Sequence, residues 1–140
     1  MPDLKIAFGA DDENECVTAV RDYLDSVADV QLVQPSENWP DFSKAVGEKV
    51  ASGEVRYGVL MCWTGTGTAV AANKVKGARA IQGWDPWIAE CARLWNDANI
   101  LTISLKRTAP DVAVDCVKAF LAVDAIDPAE LENIEAVRKL

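Results

Sequence analysis

The sequence predicts an α/β fold of the three-layer, Rossmann-like kind, in which helices cover both faces of a five-stranded, mostly parallel sheet. Short apolar runs typical of buried strands alternate along the chain with segments whose apolar residues recur at helical spacing. Half of the 140 residues are hydrophobic, which is enough for a core. The length is typical of one domain, predicted over residues 1–140.

Each apolar run predicts one strand, and each periodic segment predicts one helix. The strands are expected at 4–8, 30–33, 57–62, 78–81 and 100–103, and a loop at 34–40. The helices are expected at 17–27, 42–52, 69–74, 85–96, 110–121 and 127–140. Ligands of such sheets bind beyond the carboxyl ends of the strands, which here are 9–12, 62–67, 82–85 and 104–107.

Two helix starts carry recognisable caps. Asp85 is the predicted N-cap of the fourth helix, with Pro86 at its first position. Residues 127–130, Asp-Pro-Ala-Glu, resemble a capping box. The helix over 85–96 carries Trp87 and Trp95 in an apolar stripe with Ile88 and Cys91. This stripe predicts either a core face or a dimer interface.

Composition excludes several classes of function. The formal charge is −8, which disfavours nucleic acid, and no apolar run approaches the ~20 residues of a membrane span. Residues 1–5 do not look like a secretion signal. The four cysteines form no C-x-x-C pair and fit thiols in a reducing cytoplasm. Because the chain has no histidine, acid–base chemistry must use Asp, Glu, Cys, Lys or Tyr.

The strongest local signal is the segment 62–68, Cys-Trp-Thr-Gly-Thr-Gly-Thr, between a predicted strand and a predicted helix. Its glycines allow a tight turn with N–H groups pointing at an anion or a developing enediolate, and these groups favour a thiolate at Cys62. The alternative is a buried structural cysteine before a turn. The partial dinucleotide fingerprint Gly65-x-Gly67-x-x-Val70 is a weak alternative, because it follows the third strand and its last position is not small.

Several segments together resemble the type B ribose-5-phosphate isomerase and galactose-6-phosphate isomerase family. The similarity runs in register from about Lys5 to Leu121. It rests on Leu-Met-Cys-Trp-Thr-Gly-Thr-Gly at 60–67, Ala-Ala-Asn-Lys at 71–74, the strand 5–9 with Asp11, Lys-Gly-x-Arg-Ala at 76–80 and Trp-Asn-Asp-x-Asn at 95–99.

The resemblance implies an aldose–ketose isomerase that works through a cis-enediolate and needs no metal or organic cofactor. It implies that Cys62 is the base and that Thr64 orients the reacting end of the sugar. Backbone N–H groups of the loop Trp63, Gly65, Thr66 and Gly67 would hold the enediolate oxygen. Asp11 and Asn96 would bind sugar hydroxyls. The resemblance also implies a homodimer or a dimer of dimers, in which Trp95 and Asn96 serve the Cys62 of the neighbouring subunit.

The chain departs from the family pattern at the phosphate and ring-opening positions. Trp95 replaces the ring-opening histidine, and Asp12 replaces a phosphate-side histidine. Lys106, beside Arg107, replaces an arginine, and the C-terminal arginine pair is missing. Trp63 replaces a glycine after the cysteine. Thr68 stands where some relatives have a glutamate base. Acids in place of cations repel a phosphate, so we expect ribose 5-phosphate to be a poor substrate.

Three alternatives remain open from the sequence. One is an ordinary ribose-5-phosphate isomerase whose phosphate site is rebuilt from Lys106, Arg107 or Arg138. Another is one subunit of a heteromeric sugar-phosphate isomerase, which keeps the cysteine and lacks the histidine. The last is a non-catalytic sugar- or anion-binding protein whose pocket is filled by tryptophan.

Overall fold

Five strands and six helices alternate along the chain in the computed structural model, which describes residues 3–33 and 38–140. The strands are β1 (Lys5–Ala10), β2 (Asp29–Leu32), β3 (Tyr57–Cys62), β4 (Ala80–Gln82) and β5 (Ile100–Ser104). The helices are α1 (Glu15–Val27), α2 (Trp39–Ser52), α3 (Thr66–Ala72), α4 (Pro86–Asn96), α5 (Pro110–Leu121) and α6 (Leu131–Arg138). Of the loop predicted at 34–40, residues 34–37 lie outside the described residues.

The five strands form one sheet in the order β2-β1-β3-β5-β4, and every neighbouring pair is parallel. The register pairs Ala10 with Met61 and Cys62 with Ser104, so β1, β3 and β5 end side by side. This confirms the predicted sheet. It also brings three of the predicted ligand-binding strand ends to one place.

Helices cover both faces of the sheet, as predicted. Alternate residues of β3 face opposite sides: Val59 and Met61 join the core beneath α1, α4 and α5, whereas Leu60 joins the core beneath α2 and α3. β3 is buried throughout because it lies in the middle of the sheet. Its continuous apolar sequence is the expected signature of such a strand.

Three predicted helix starts are wrong. Helix α2 begins at Trp39, three residues before the predicted residue 42, so residues 39 and 40 belong to the helix and not to the predicted loop. Helix α3 begins at Thr66, three residues before the predicted Ala69, because Gly65 takes the left-handed conformation that turns the chain directly into the helix. The predicted capping box at 127–130 is only half formed. The Asp127 side chain accepts from the Ala129 N–H, but the Glu130 carboxylate accepts from Asn133 instead of returning to Asp127. A short 3₁₀ turn, Pro128–Glu130, precedes α6 as a result.

Helix α4 begins as predicted, with the Asp85 side chain accepting from the Ile88 N–H at 2.9 Å. Its core contacts come from Ala89 and Ala92, not from the tryptophans. Trp87 and Trp95 are 61% and 40% exposed and pack edge to face against each other, so the core interpretation of these two residues is wrong. Within residues 3–33 and 38–140, no helix has the length and apolarity that a membrane crossing requires.

Candidate active site

The thiol of Cys62 is held by the turn that follows β3. The Gly65 N–H donates to its Sγ at 3.1 Å, and the Thr68 hydroxyl lies 3.4 Å from the same sulfur. Cys62 is only 5% exposed, yet it borders a pocket at the carboxyl edge of the sheet. The residue predicted as the base is therefore fixed in position with one side facing a cleft.

The turn is held in place from β5 and β4. The hydroxyl of Thr102 donates to the Gly65 carbonyl at 2.7 Å, and that of Ser104 donates to the Trp63 carbonyl at 2.6 Å. The Gln82 amide donates to the Thr64 carbonyl. Gln82 and Ser104 belong to strand ends that the sequence marked as ligand-binding. The sequence analysis does not predict a role for Thr102, although its hydroxyl inside an otherwise apolar strand could have indicated one.

Two of the loop's N–H groups are already used within the loop. The Gly65 N–H serves Cys62, and the Thr66 N–H donates to the Thr64 hydroxyl at 3.3 Å. The Thr64 and Thr66 hydroxyls also lie 2.6 Å apart. These two N–H groups are therefore not free to bind an enediolate oxygen, and only the other N–H groups of the loop remain candidates for that role.

The pocket beside Cys62 has a volume of about 360 Å³. The described residues that line it follow β1, begin α2, or run from the end of β3 into α3: Asp11, Trp39, Cys62, Trp63, Thr64, Thr66 and Gly67. The ring of Trp39 covers Gly67 so closely that a Cβ there would lie 3.2 Å from it. The structure thus brings together most of the site residues predicted from the sequence and adds Trp39 as a second aromatic wall.

Asp11 is the second titratable side chain in this lining. Its Oδ1 is buried and has no hydrogen-bond partner. Burial raises the pKa of the carboxyl, and the nearby Asp12 carboxylate raises it further. An unpartnered carboxyl beside a thiol is available to a hydroxyl of a bound ligand.

Asp12 and Lys106 hold the side chain of Trp63 and do not line the pocket. The indole Nε1 donates to Asp12 Oδ2 at 3.1 Å, and Lys106 Nζ lies 4.4 Å from the ring centroid. The pKa of Asp12 is lowered mainly by the hydrogen bond from the Glu13 backbone N–H. The hydrogen bond from the Trp63 indole and the charge of Lys106 lower it further. Asp12 and Lys106 contact the indole in this structure, and the substrate contacts expected of these two residues stay a prediction.

Trp95 and Asn96 lie apart from the Cys62 pocket. They end α4, and Asn96 borders a separate cavity of about 650 Å³ between the segment after α3 and helix α6. Beside it, Asp97 accepts from three arginines: Arg79, Arg93 and Arg138. Within one chain, then, the structure does not bring the predicted Trp95 and Asn96 to the base.

The described residues offer no metal site. No group of three or more Cys, Asp or Glu side chains in residues 3–33 and 38–140 could hold a metal ion. The Cys62 pocket offers one thiol, one carboxyl, hydroxyls and backbone N–H groups. These groups can bind and exchange protons with a small polyhydroxy compound.

Comparison with known proteins finds relatives of this chain in both sequence and structure. The chain is 32% identical to a D-erythrulose-4-phosphate isomerase of Pectobacterium atrosepticum over 96% of this chain and 93% of that protein. It is 33% identical to ribose-5-phosphate isomerase B of Escherichia coli, over 71% of this chain and 67% of that protein. A crystal structure of a ribose 5-phosphate isomerase from Thermotoga maritima superposes with a TM-score of 0.89 at 30% identity, covering 99% of both chains.

These similarities confirm the predicted resemblance, the fold and the activity class of an aldose–ketose isomerase at the level of the family. The family model for Ribose/Galactose Isomerase matches residues 6–138, which include all of β1 but its first residue and the loop after β3. The chain therefore belongs to the ribose/galactose isomerase family.

Proposed function

We propose that the Cys62 pocket is the active site of an aldose–ketose isomerase in which the Cys62 thiolate moves a proton between C1 and C2 of an open-chain sugar. The observation that carries the proposal is the 3.1 Å hydrogen bond from the Gly65 N–H to Cys62 Sγ at the edge of the pocket. A backbone donor at this distance stabilises the thiolate and fixes its direction. Thr68, at the position of the alternative base, offers only a hydroxyl.

In the proposed reaction Sγ removes the proton from C2 of the aldose. The C–H electron pair becomes the C1=C2 double bond, and the π pair of the C1 carbonyl moves to O1, which gives the cis-enediolate. The proton on O2 is transferred to O1, and the Cys62 thiol returns its proton to C1 as the C2 carbonyl forms. Atoms and electrons balance without a cofactor.

The other residues of the pocket position the sugar. Asp11, with its unpartnered oxygen, accepts from a sugar hydroxyl. Thr64 orients the reacting end, and the N–H groups of the loop that are not used internally stabilise the enediolate oxygen. Preorganised donors of this kind contribute ~3–4 kcal/mol each.

Solvent deuterium incorporation tests the base. In D₂O with erythrulose 4-phosphate or ribose 5-phosphate, Cys62→Ala should abolish incorporation at the carbon that exchanges its proton. Cys62→Ser should do nearly the same, because a hydroxyl is too weak a base. Cys91→Ala removes another buried thiol, outside the pocket, and is the matched control that should retain exchange. Wild-type incorporation by Cys62→Ala would eliminate Cys62 as the base and make Asp11 the next candidate.

We also propose that two subunits share each active site. Two observations support this arrangement: α4 exposes an aromatic pair, Trp87 and Trp95, and Asn96 borders a cavity separate from the Cys62 pocket. A two-fold dimer can bring Asn96 of one subunit to the Cys62 pocket of the other. Light scattering that shows a monomer at micromolar concentration would refute the arrangement.

Complementation tests the shared site directly. Cys62→Ala and Asn96→Ala chains, each inactive alone, are unfolded together and refolded as a mixture. If each site combines Cys62 from one subunit with Asn96 from the other, mixed dimers contain one intact site. A random mixture then recovers about a quarter of the wild-type activity. If both residues act within one subunit, the mixture stays inactive.

The proposed substrate is an open-chain sugar or sugar phosphate of the size handled by the relatives, which are named for four- and five-carbon sugar phosphates. None of the described residues lining the pocket is a cation, which supports poor use of ribose 5-phosphate by a single subunit. Unpaired cysteines at positions 16, 62, 91 and 116 support a reducing compartment, and we place the enzyme in the cytoplasm.

A further inference from the structure

Trp63 is restrained at both ends. Its carbonyl accepts from the Ser104 hydroxyl at 2.6 Å and from the Lys106 N–H at 3.4 Å, which ties its backbone to the end of β5. Its indole N–H donates to Asp12 beyond the end of β1, and the ring lies under the Lys106 ammonium. The side chain therefore reaches from the end of β3 towards the end of β1, next to Cys62, and any swing of the ring breaks two contacts.

The side chain is 56% exposed, so these contacts, more than burial of its own surface, hold the indole in place. The two groups that hold it carry opposite charges, so the unit formed by Trp63, Asp12 and Lys106 is neutral and its ionic groups are engaged with the ring. Trp63 lines the pocket together with a second tryptophan, Trp39.

We propose that Trp63 determines substrate length: held by Asp12 and Lys106, it forms a fixed wall that admits four-carbon sugars and obstructs the far end of five-carbon sugar phosphates. The proposal rests on the proposed isomerase function. The pocket volume of about 360 Å³ lies near the lower limit of small-molecule sites, so a bulky side chain in its lining limits the space that is left for a ligand. Because the wall is aromatic and neutral, it obstructs by shape and also offers no cation to a phosphate.

The kinetic test compares erythrulose 4-phosphate with ribose 5-phosphate. Wild type should prefer the four-carbon substrate in kcat/KM. Trp63→Ala should shift the ratio of the two kcat/KM values by at least tenfold towards ribose 5-phosphate, mainly through a lower KM for the longer sugar. Trp63→Phe keeps a flat ring beneath Lys106 but loses the N–H that binds Asp12, so its ratio should lie between those of wild type and Trp63→Ala. Trp84→Ala removes a more exposed tryptophan outside the pocket and should not change the ratio.

An access test separates this proposal from the isomerase function. Alkylation of Cys62 is followed by mass spectrometry with iodoacetamide and with the bulkier N-phenyl iodoacetamide. In Trp63→Ala the rate of Cys62 alkylation by the bulky reagent, divided by the rate with the small one, should rise at least fivefold. This result is expected whether or not any sugar is turned over. The proposal that Trp63 is a wall is refuted if Trp63→Ala leaves the ratio of the two alkylation rates unchanged. It is also refuted if the variant loses kcat/KM equally for both sugars. If the ratio of alkylation rates shifts as expected but wild type turns over neither sugar, the proposed isomerase function is refuted instead.

Discussion

Gly65 is the position at which one methyl group should do most damage to the site. Its φ is +76°, and the left-handed conformation costs an L-residue ~1–2 kcal/mol. A Cβ would also lie 3.0 Å from the Ile103 carbonyl carbon and from the Ser104 nitrogen, both backbone atoms of the interior strand β5. Since that backbone cannot move aside cheaply, overpacking adds ~1–3 kcal/mol. Gly65→Ala should therefore lower the free energy of unfolding by ~2–5 kcal/mol.

Gly53→Ala is the matched control. Gly53 ends α2 with a φ of +83°, but nothing lies within 4 Å of the added Cβ. Gly53→Ala should therefore lower the free energy of unfolding only by the ~1–2 kcal/mol that the left-handed conformation costs. Urea unfolding followed by circular dichroism measures both variants, and the difference between them isolates the close approach to β5. Because the Gly65 N–H donates to Cys62 Sγ, Gly65→Ala should also slow deuterium exchange, and Gly53→Ala should not.

Equal losses of stability in the two variants would refute the reasoning. They would mean that the loop shifts away from β5 without cost, and that the hydrogen bonds from Thr102 and Ser104 do not fix it. If Gly65→Ala kept full deuterium-exchange activity, the geometry of this turn would not be needed for proton transfer by Cys62.

Two further predictions follow from the titrating groups. Burial and Asp12 raise the pKa of Asp11, so the folded state holds that proton more tightly than the unfolded state and loses stability as the pH rises through the folded pKa. Asp11→Asn should therefore raise the melting temperature at pH 7, and the gain should shrink towards pH 4. For the thiols, burial raises the pKa of Cys16, and that of Cys116 to about 11, so iodoacetamide at pH 8 should modify Cys62 before either. Mass spectrometry that shows Cys16 or Cys116 modified first would contradict this.

The sequence predicted the sheet and the position of Cys62 because both follow from local pattern. The five-stranded alternation depends on apolar runs, and the parallel arrangement then places all the carboxyl ends on one edge. The start of α3 was harder to predict. Glycine is compatible with both a loop and a left-handed turn, and only the packing of Gly65 against β5 decides between them.

The hydrogen bonds that support the loop were less predictable than the loop itself. The hydroxyl of Thr102 stands out in an apolar strand, but nothing in the sequence identifies the Gly65 carbonyl, 37 residues away, as its partner. The exposed Trp87 and Trp95 illustrate the same difficulty on a helix. An apolar stripe predicts burial, but whether the chain's own core or another subunit covers it depends on the tertiary packing, in which Ala89 and Ala92 face the core.

Trp63, Asp12 and Lys106 depart from the family pattern as one unit. The indole satisfies the Asp12 carboxylate with its N–H and the Lys106 ammonium with its ring face. A glycine at position 63 would leave the two charges to each other or to solvent, and a histidine at position 12 would lose the acceptor that orients the indole. Reverting Trp63 alone should therefore widen the pocket without creating a cationic end, because the Asp12 carboxylate would still offset the Lys106 charge. The gain for ribose 5-phosphate that is expected of Trp63→Ala is therefore steric, and a further electrostatic gain requires the acid at position 12 to change as well.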